Sequence, residues 1–129
     1  EGTSFHYAQA SQTIAVNVNT HTQMKQFFQT HAIAYREAKI WTTDGFYRET
    51  RNKVERMKAA GYTCVDMECS ALAALAQFRR KRIAQFFYTA DNLDQKQWDK
   101  RSLGNAENIE VKKNIVDIAM QLSLQLASE

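Results

Sequence analysis

The stretch Gly61-Tyr-Thr-Cys-Val-Asp-Met-Glu-Cys-Ser-Ala-Leu-Ala-Ala-Leu-Ala-Gln-Phe78 decides how this chain is read. Tyr62 to Met67 is short and bounded by a glycine, and reads as a buried strand. Ser70 to Arg80 is rich in Ala and Leu, both strong helix formers, and reads as a helix. Glu68 stands at the junction. A carboxylate is costly to bury there unless it is paired or hydrogen-bonded. Two readings stand side by side. Glu68 is either a charge that complements the helix dipole, or a held, ionised acceptor that faces a cleft.

Working outward, strand and helix alternate. Upstream, Thr13-Ile-Ala-Val-Asn-Val18 is alternating and β-branched and predicts a strand. Asn19-Thr20 offers cap chemistry, and Thr22 to Ala34 follows as a helix with Met24, Phe27, Phe28 and Ile33 on its apolar side. Ala38 to Asp44 predicts a second strand that ends in an Asp44-Gly45 turn. Tyr47 to Ala60 predicts a charged helix stopped by Gly61. Downstream, Arg79-Arg-Lys-Arg82 is either a phosphate or nucleic-acid patch or a set of cations closing a helix, and the second is preferred. Ile83 to Thr89 predicts a fourth, central strand with aromatic residues on both faces. Gln95 to Gly104 is polar and loop-like. A last helix runs from Asn105 or Ala106 to about Ala127, with Ile109, Ile115, Ile118, Ala119, Leu122 and Leu126 on its apolar side.

This order predicts an α/β fold in three layers, α/β/α, around a central mixed, mostly parallel sheet. The 129 residues fit one domain, 1–129, with 44% hydrophobic residues. A net charge of +3 with both signs mixed does not point to nucleic acid. No apolar run reaches membrane-spanning length, and the polar N-terminus shows no signal peptide. Cys64 and Cys69 are neither a disulfide framework nor a zinc pair, so a reducing, cytoplasmic setting is expected. His6, His21 and His31 have no partner at metal spacing, and no metal is expected. There is no phosphate-binding P-loop, and neither Ser4 nor Ser70 sits in a nucleophile elbow.

Ligands in such sheets bind beyond the carboxyl ends of the strands. Three polar groups fall at predicted strand ends: Asp44 with Phe46-Tyr47, Glu68, and Asp91-Asn92. Three adjacent strand ends could form one pocket. Phe46 and Tyr47 offer a flat surface for an aromatic ring, or else pack where a strand turns into a helix. Glu68 suits sugar hydroxyls. Asp91 is a general acid if burial raises its pKa, or else a turn former beside Asn92. Arg101 either pairs with Asp91 or an anion, or is an exposed loop arginine. A base platform, a sugar clamp and an acid together make a nucleoside pocket.

Trp-Thr-Thr-Asp-Gly-Phe-Tyr-Arg-Glu-Thr50, Val-Asp-Met-Glu-Cys-Ser-Ala71 and Tyr-Thr-Ala-Asp-Asn-Leu-Asp94 carry a resemblance in their order and spacing. The chain resembles the nucleoside phosphorylase family of the purine and uridine phosphorylase type, from about Gly2 to the final helix. The resemblance implies that Met67 and Glu68 hold the ribose, with Glu68 on its hydroxyls. It implies that Phe46 packs on the base and Tyr47 lines the same region. Asp91 matches the acid that protonates or hydrogen-bonds the departing base in purine-specific members, and Arg101 the arginine that assists it. Uridine-specific members carry a Gln and Arg pair after the Phe-Tyr step, where this chain has Arg48-Glu49-Thr50-Arg51. Some uridine-type members share the Tyr-Arg-Glu-Thr pattern, so the base stays open between purine and uridine.

The implied activity is phosphorolysis of the N-glycosidic bond, with inorganic phosphate as co-substrate and no cofactor. Family members are longer, and their first half carries the phosphate loop. The chain is therefore expected to be the C-terminal half of the usual domain, without the phosphate side and weak or inactive alone. A nucleosidase of the same superfamily and a non-catalytic nucleoside-binding or assembly module are the alternatives. Expected partners are a small-molecule nucleoside, phosphate and further copies of the chain in a homo-oligomer, with no nucleic acid and no membrane.

Overall fold

The computed structural model describes residues 2–90 and 108–128. The chain falls into two compact units, Glu1–Gln85 and Phe86–Glu129. In order, the described elements are a 3-10 turn Gly2–His6, α1 Val18–Thr30, β1 Lys39–Thr42, a 3-10 turn Phe46–Arg48, α2 Arg51–Ala59, β2 Tyr62–Asp66, α3 Cys69–Phe78 and α4 Ile109–Ala127. Mixed helices and a small parallel sheet make this an α/β chain.

In the first unit, β1 and β2 pair in parallel. Ile40 lies opposite Cys64, Trp41 opposite Val65 and Thr42 opposite Asp66, with a register irregularity between Lys39 and Ile40. Parallel strands need a crossover, and α2 supplies it. Lys53 of α2 holds its ammonium 4.9 Å from the centre of the Trp41 ring, which ties the crossover to β1 by charge as well as by chain. Trp41, Thr42 and Thr43 are buried, as are Ala73, Ala74 and Ala76 of α3. The small alanines allow close approach of a helix to its neighbours. The Gly2–His6 turn packs against α3, where Tyr7 and Phe78 bring their ring centres to 5.9 Å.

Two predicted strands differ in the structure. Thr13 to Asn17 forms no strand, and α1 starts four residues earlier than the sequence pattern implies, at Val18. Asn17 explains the shift. Its side-chain oxygen accepts from the Thr20 amide at 3.0 Å and from the Thr20 hydroxyl at 3.1 Å, the geometry of a helix N-cap. Alternating β-branched residues lose to a cap that satisfies otherwise orphaned amides. Ile83 to Thr89 also has no regular structure. A strand exists only through pairing, and among the described residues no strand pairs with this segment. Instead Gln85 turns its amide to the Cys69 carbonyl at 3.3 Å.

The helices form where expected but with different bounds. α1 ends at Thr30, so Ile33 lies beyond it with its amide on the Phe28 carbonyl. The helix expected from Tyr47 begins only at Arg51, after the 3-10 turn Phe46–Arg48. α1 buries Thr20, Met24, Phe27 and Phe28 at helical spacing. The chain then doubles back along it. Tyr35 stacks on Phe28 with ring centres 5.4 Å apart, and Glu37 meets Lys25 at 2.7 Å and His21 at 3.4 Å. His31 stacks on Phe27 and sets its Nδ1 2.9 Å from that residue's carbonyl oxygen. The last helix, α4, begins at Ile109. Its predicted start, Asn105 or Ala106, lies outside the described residues. In the second unit Leu122 of α4 is buried and Ile115, Ile118 and Leu126 are half-buried along the same stripe, whereas Ile109 and Ala119 of the expected apolar side are exposed.

Candidate functional site

Parallel pairing brings the carboxyl ends of β1 and β2 to one edge, because Thr42 and Asp66 are register partners and each is the last residue of its strand. The two segments that leave these strands therefore emerge side by side. After β1 comes Thr43-Asp44-Gly45 and the short turn Phe46–Arg48. After β2 comes Met67-Glu68 and the first turn of α3.

Phe46 and Tyr47 are 77% and 72% exposed. Their rings meet edge to face at 5.9 Å. Packing at a strand-to-helix turn does not account for so much open aromatic surface. Gly45 shapes this pair by lacking a side chain. A Cβ there would come within 2.7 Å of the Tyr47 ring, so only glycine lets the ring lie across the turn. Asp44 accepts the Gly2 amide at 2.8 Å and stands 3.9 Å from the Arg48 guanidinium.

Met67 and Glu68 are also exposed. Glu68 occupies the N-cap position of α3, yet its side chain makes no capping hydrogen bond. Asp66 does that work. Its Oδ2 accepts the Glu68 amide at 3.0 Å and the Cys69 amide. Its Oδ1 accepts the Thr42 hydroxyl at 2.7 Å, and the Thr42 oxygen in turn accepts the Ser70 amide at 3.0 Å. The Thr43 amide donates to the Asp66 carbonyl at 2.8 Å. Burial, and then the Asp66 charge beside it, push the Cys69 thiol up to about 11. Cys69 is thus a protonated thiol at neutral pH.

Of the residues expected to form the site, Phe46, Tyr47, Met67 and Glu68 share this strand-end edge. Asp91, Asn92 and Arg101 lie outside the described residues. Sequence reasoning passed over Thr42 and Asp66. The available signal was an Asp at the end of a strand pattern, where aspartate is disfavoured, two residues before a helix start, where its short carboxylate is favoured.

A cleft of about 410 Å³ opens elsewhere, at the C-terminal end of α3, between Val16, Asn17, Gln77 and the basic residues Arg80, Lys81 and Arg82. None of the residues expected to bind a nucleoside lines it. The basic run closes the helix. The Arg80 amide donates to the Gln77 carbonyl at 3.1 Å and the Lys81 amide to the Ala76 carbonyl at 2.8 Å, with Arg80 left-handed at φ 51°. These are the bonds of a Schellman end, and cations there complement the negative helix terminus.

The family model of the phosphorylase superfamily matches residues 1–127. The chain belongs to the phosphorylase superfamily, in line with the nucleoside phosphorylase resemblance of its motifs. No curated protein and no solved structure matches the chain. Among the described residues no helix is long and apolar enough to cross a membrane.

Proposed function

We propose that this chain carries the base and ribose side of a nucleoside phosphorylase site. One observation supports this above the others: an exposed aromatic pair, Phe46-Tyr47, and an exposed carboxylate, Glu68, come after two adjacent parallel strands at the same end. An aromatic face takes a base by stacking. A carboxylate accepts two vicinal hydroxyls, as a ribose presents. Met67 borders the sugar. The family match spans both compact units, and we read them as parts of one α/β domain of the three-layer, nucleoside phosphorylase-like kind.

The chemistry is displacement at C1′. The N-glycosidic bond breaks, a C1′–oxygen bond to inorganic phosphate forms, and the base leaves with its electron pair and takes a proton. The sugar gains positive charge on the way, so fixed negative groups around it lower the barrier. By resemblance, Asp91 gives or shares the proton at the departing base, assisted by Arg101, and Asn92 joins Phe46, Tyr47, Met67 and Glu68 in binding the substrate. No phosphate site is assigned among the described residues. The products are a free base and ribose 1-phosphate, and no cofactor enters. We also expect a homo-oligomer, since Ile109, Val116, Met120 and Leu124 leave apolar surface of α4 exposed.

The test is base release from inosine, adenosine, guanosine and uridine, with and without phosphate, by this chain. Phosphate-dependent release supports a phosphorylase and names the base. Release that ignores phosphate identifies a nucleosidase instead. Saturable binding without release leaves a nucleoside-binding module.

A further inference from the structure

We propose that Thr42 and Asp66 are positioning residues that lock the base side of the site to its ribose side. This rests on the nucleoside function proposed for the same edge. Neither side chain is offered to a ligand. Thr42 is buried, and both Asp66 oxygens are already engaged within the protein. Their partners lie on both arms of the site. One Asp66 oxygen reaches across to β1 and the other holds the amides of Glu68 and Cys69. The Thr42 hydroxyl uses its one proton on Asp66 and accepts from Ser70.

The consequence is geometric. The backbone of Glu68 is pinned by a group that is itself pinned to the strand leading to Phe46-Tyr47. Because Asp66 takes over the capping, the Glu68 carboxylate is left for a sugar. A hydroxyl at position 42 is essential to the lock, since it must donate and accept at once. Serine meets that need and valine, of the same shape as threonine, does not.

Calorimetric titration of the intact chain with inosine and with uridine tests this, with folding of each variant checked by circular dichroism. For whichever nucleoside binds, Thr42→Val is expected to weaken affinity about tenfold, the scale of one hydrogen bond to a charged acceptor. Thr42→Ser is expected to keep the wild-type affinity. In a Glu68→Gln background, Thr42→Val is expected to cost nothing further, because it acts through Glu68. Wild-type affinity in folded Thr42→Val, or losses that simply add in the double variant, overturns the proposal. Should Thr42→Val fail to fold, Asp66→Asn replaces it under the same cycle, and additivity again overturns the proposal. Absence of binding by the folded wild-type chain overturns the nucleoside function itself, and is told apart from additivity because it needs no variant.

Discussion

Glu68 begins a helix yet leaves its capping to Asp66, two residues earlier. That division separates the two readings open to a carboxylate at this junction. The dipole needs only a nearby negative charge, which Asp66 supplies with hydrogen bonds as well. Glu68→Gln is therefore expected to leave the melting temperature nearly unchanged. It should weaken nucleoside binding by about 1.5–3 kcal/mol, because a charged acceptor becomes neutral. Calorimetry on the folded variant checks both halves. Thr42→Val should instead lower stability by about 1–3 kcal/mol, since it strands the Ser70 amide and an Asp66 oxygen. The placement of Glu68, Phe46 and Tyr47 just after strand ends was legible in the sequence, because the strand patterns that precede them are local. The role of Asp66 was not, because its partner Thr42 lies 24 positions away along the chain and Thr42 in turn meets Ser70 across 28. Cys69 offers a pH-dependent signal. Its folded pKa, about 11, exceeds the unfolded value of about 8.5, so its contribution to stability is full below the unfolded value and is lost as pH rises through the folded one. At pH 8, iodoacetamide is expected to alkylate Cys69 far more slowly in the native chain than in urea, as mass spectrometry of the digested protein would record.

At the scale of elements, the helix ends hold the clearest energetic consequences. α1 closes with a Schellman end. The Ile33 amide donates to the Phe28 carbonyl at 2.8 Å and the Ala32 amide to the Gln29 carbonyl at 3.1 Å. The residue at the turning point, Ala32, is left-handed at φ 51°. Glycine adopts that conformation without the Cβ cost. Ala32→Gly should thus stabilise the chain by about 0.5–1 kcal/mol, read as a higher midpoint in urea. Gly61 stands at the matching place after α2, with φ 83° and nothing near its missing Cβ. Gly61→Ala should lower stability by about 1 kcal/mol through backbone strain alone. Helices were legible because their period and caps are local. The failures were strands. Thr13 to Val18 has strand composition, but Asn17 and Thr20 form a local cap that outcompetes a distant partner. Ile83 to Thr89 has strand composition with no strand beside it among the described residues. Composition states that a segment suits a sheet and cannot supply the neighbouring edge.

For the whole molecule, membership of the phosphorylase superfamily and the strand-end edge point in the same direction. Neither names a base, and sedimentation velocity is the check on assembly: a species larger than the 14.9 kDa chain is expected. The candidate site was legible as a set of motifs, since three short patterns in order carry the resemblance. Its geometry was not, because parallel pairing of β1 with β2 depends on a crossover that no single motif encodes. Nucleoside binding at that edge is the central claim, and amide chemical-shift mapping of the isotope-labelled chain tests it most directly. Titration with inosine and uridine should move the amides of residues 44–47 and 66–69 saturably, with one affinity for both groups. Shifts confined to residues 80–83 and the cleft they line, or no shifts at all in a folded sample, would contradict it.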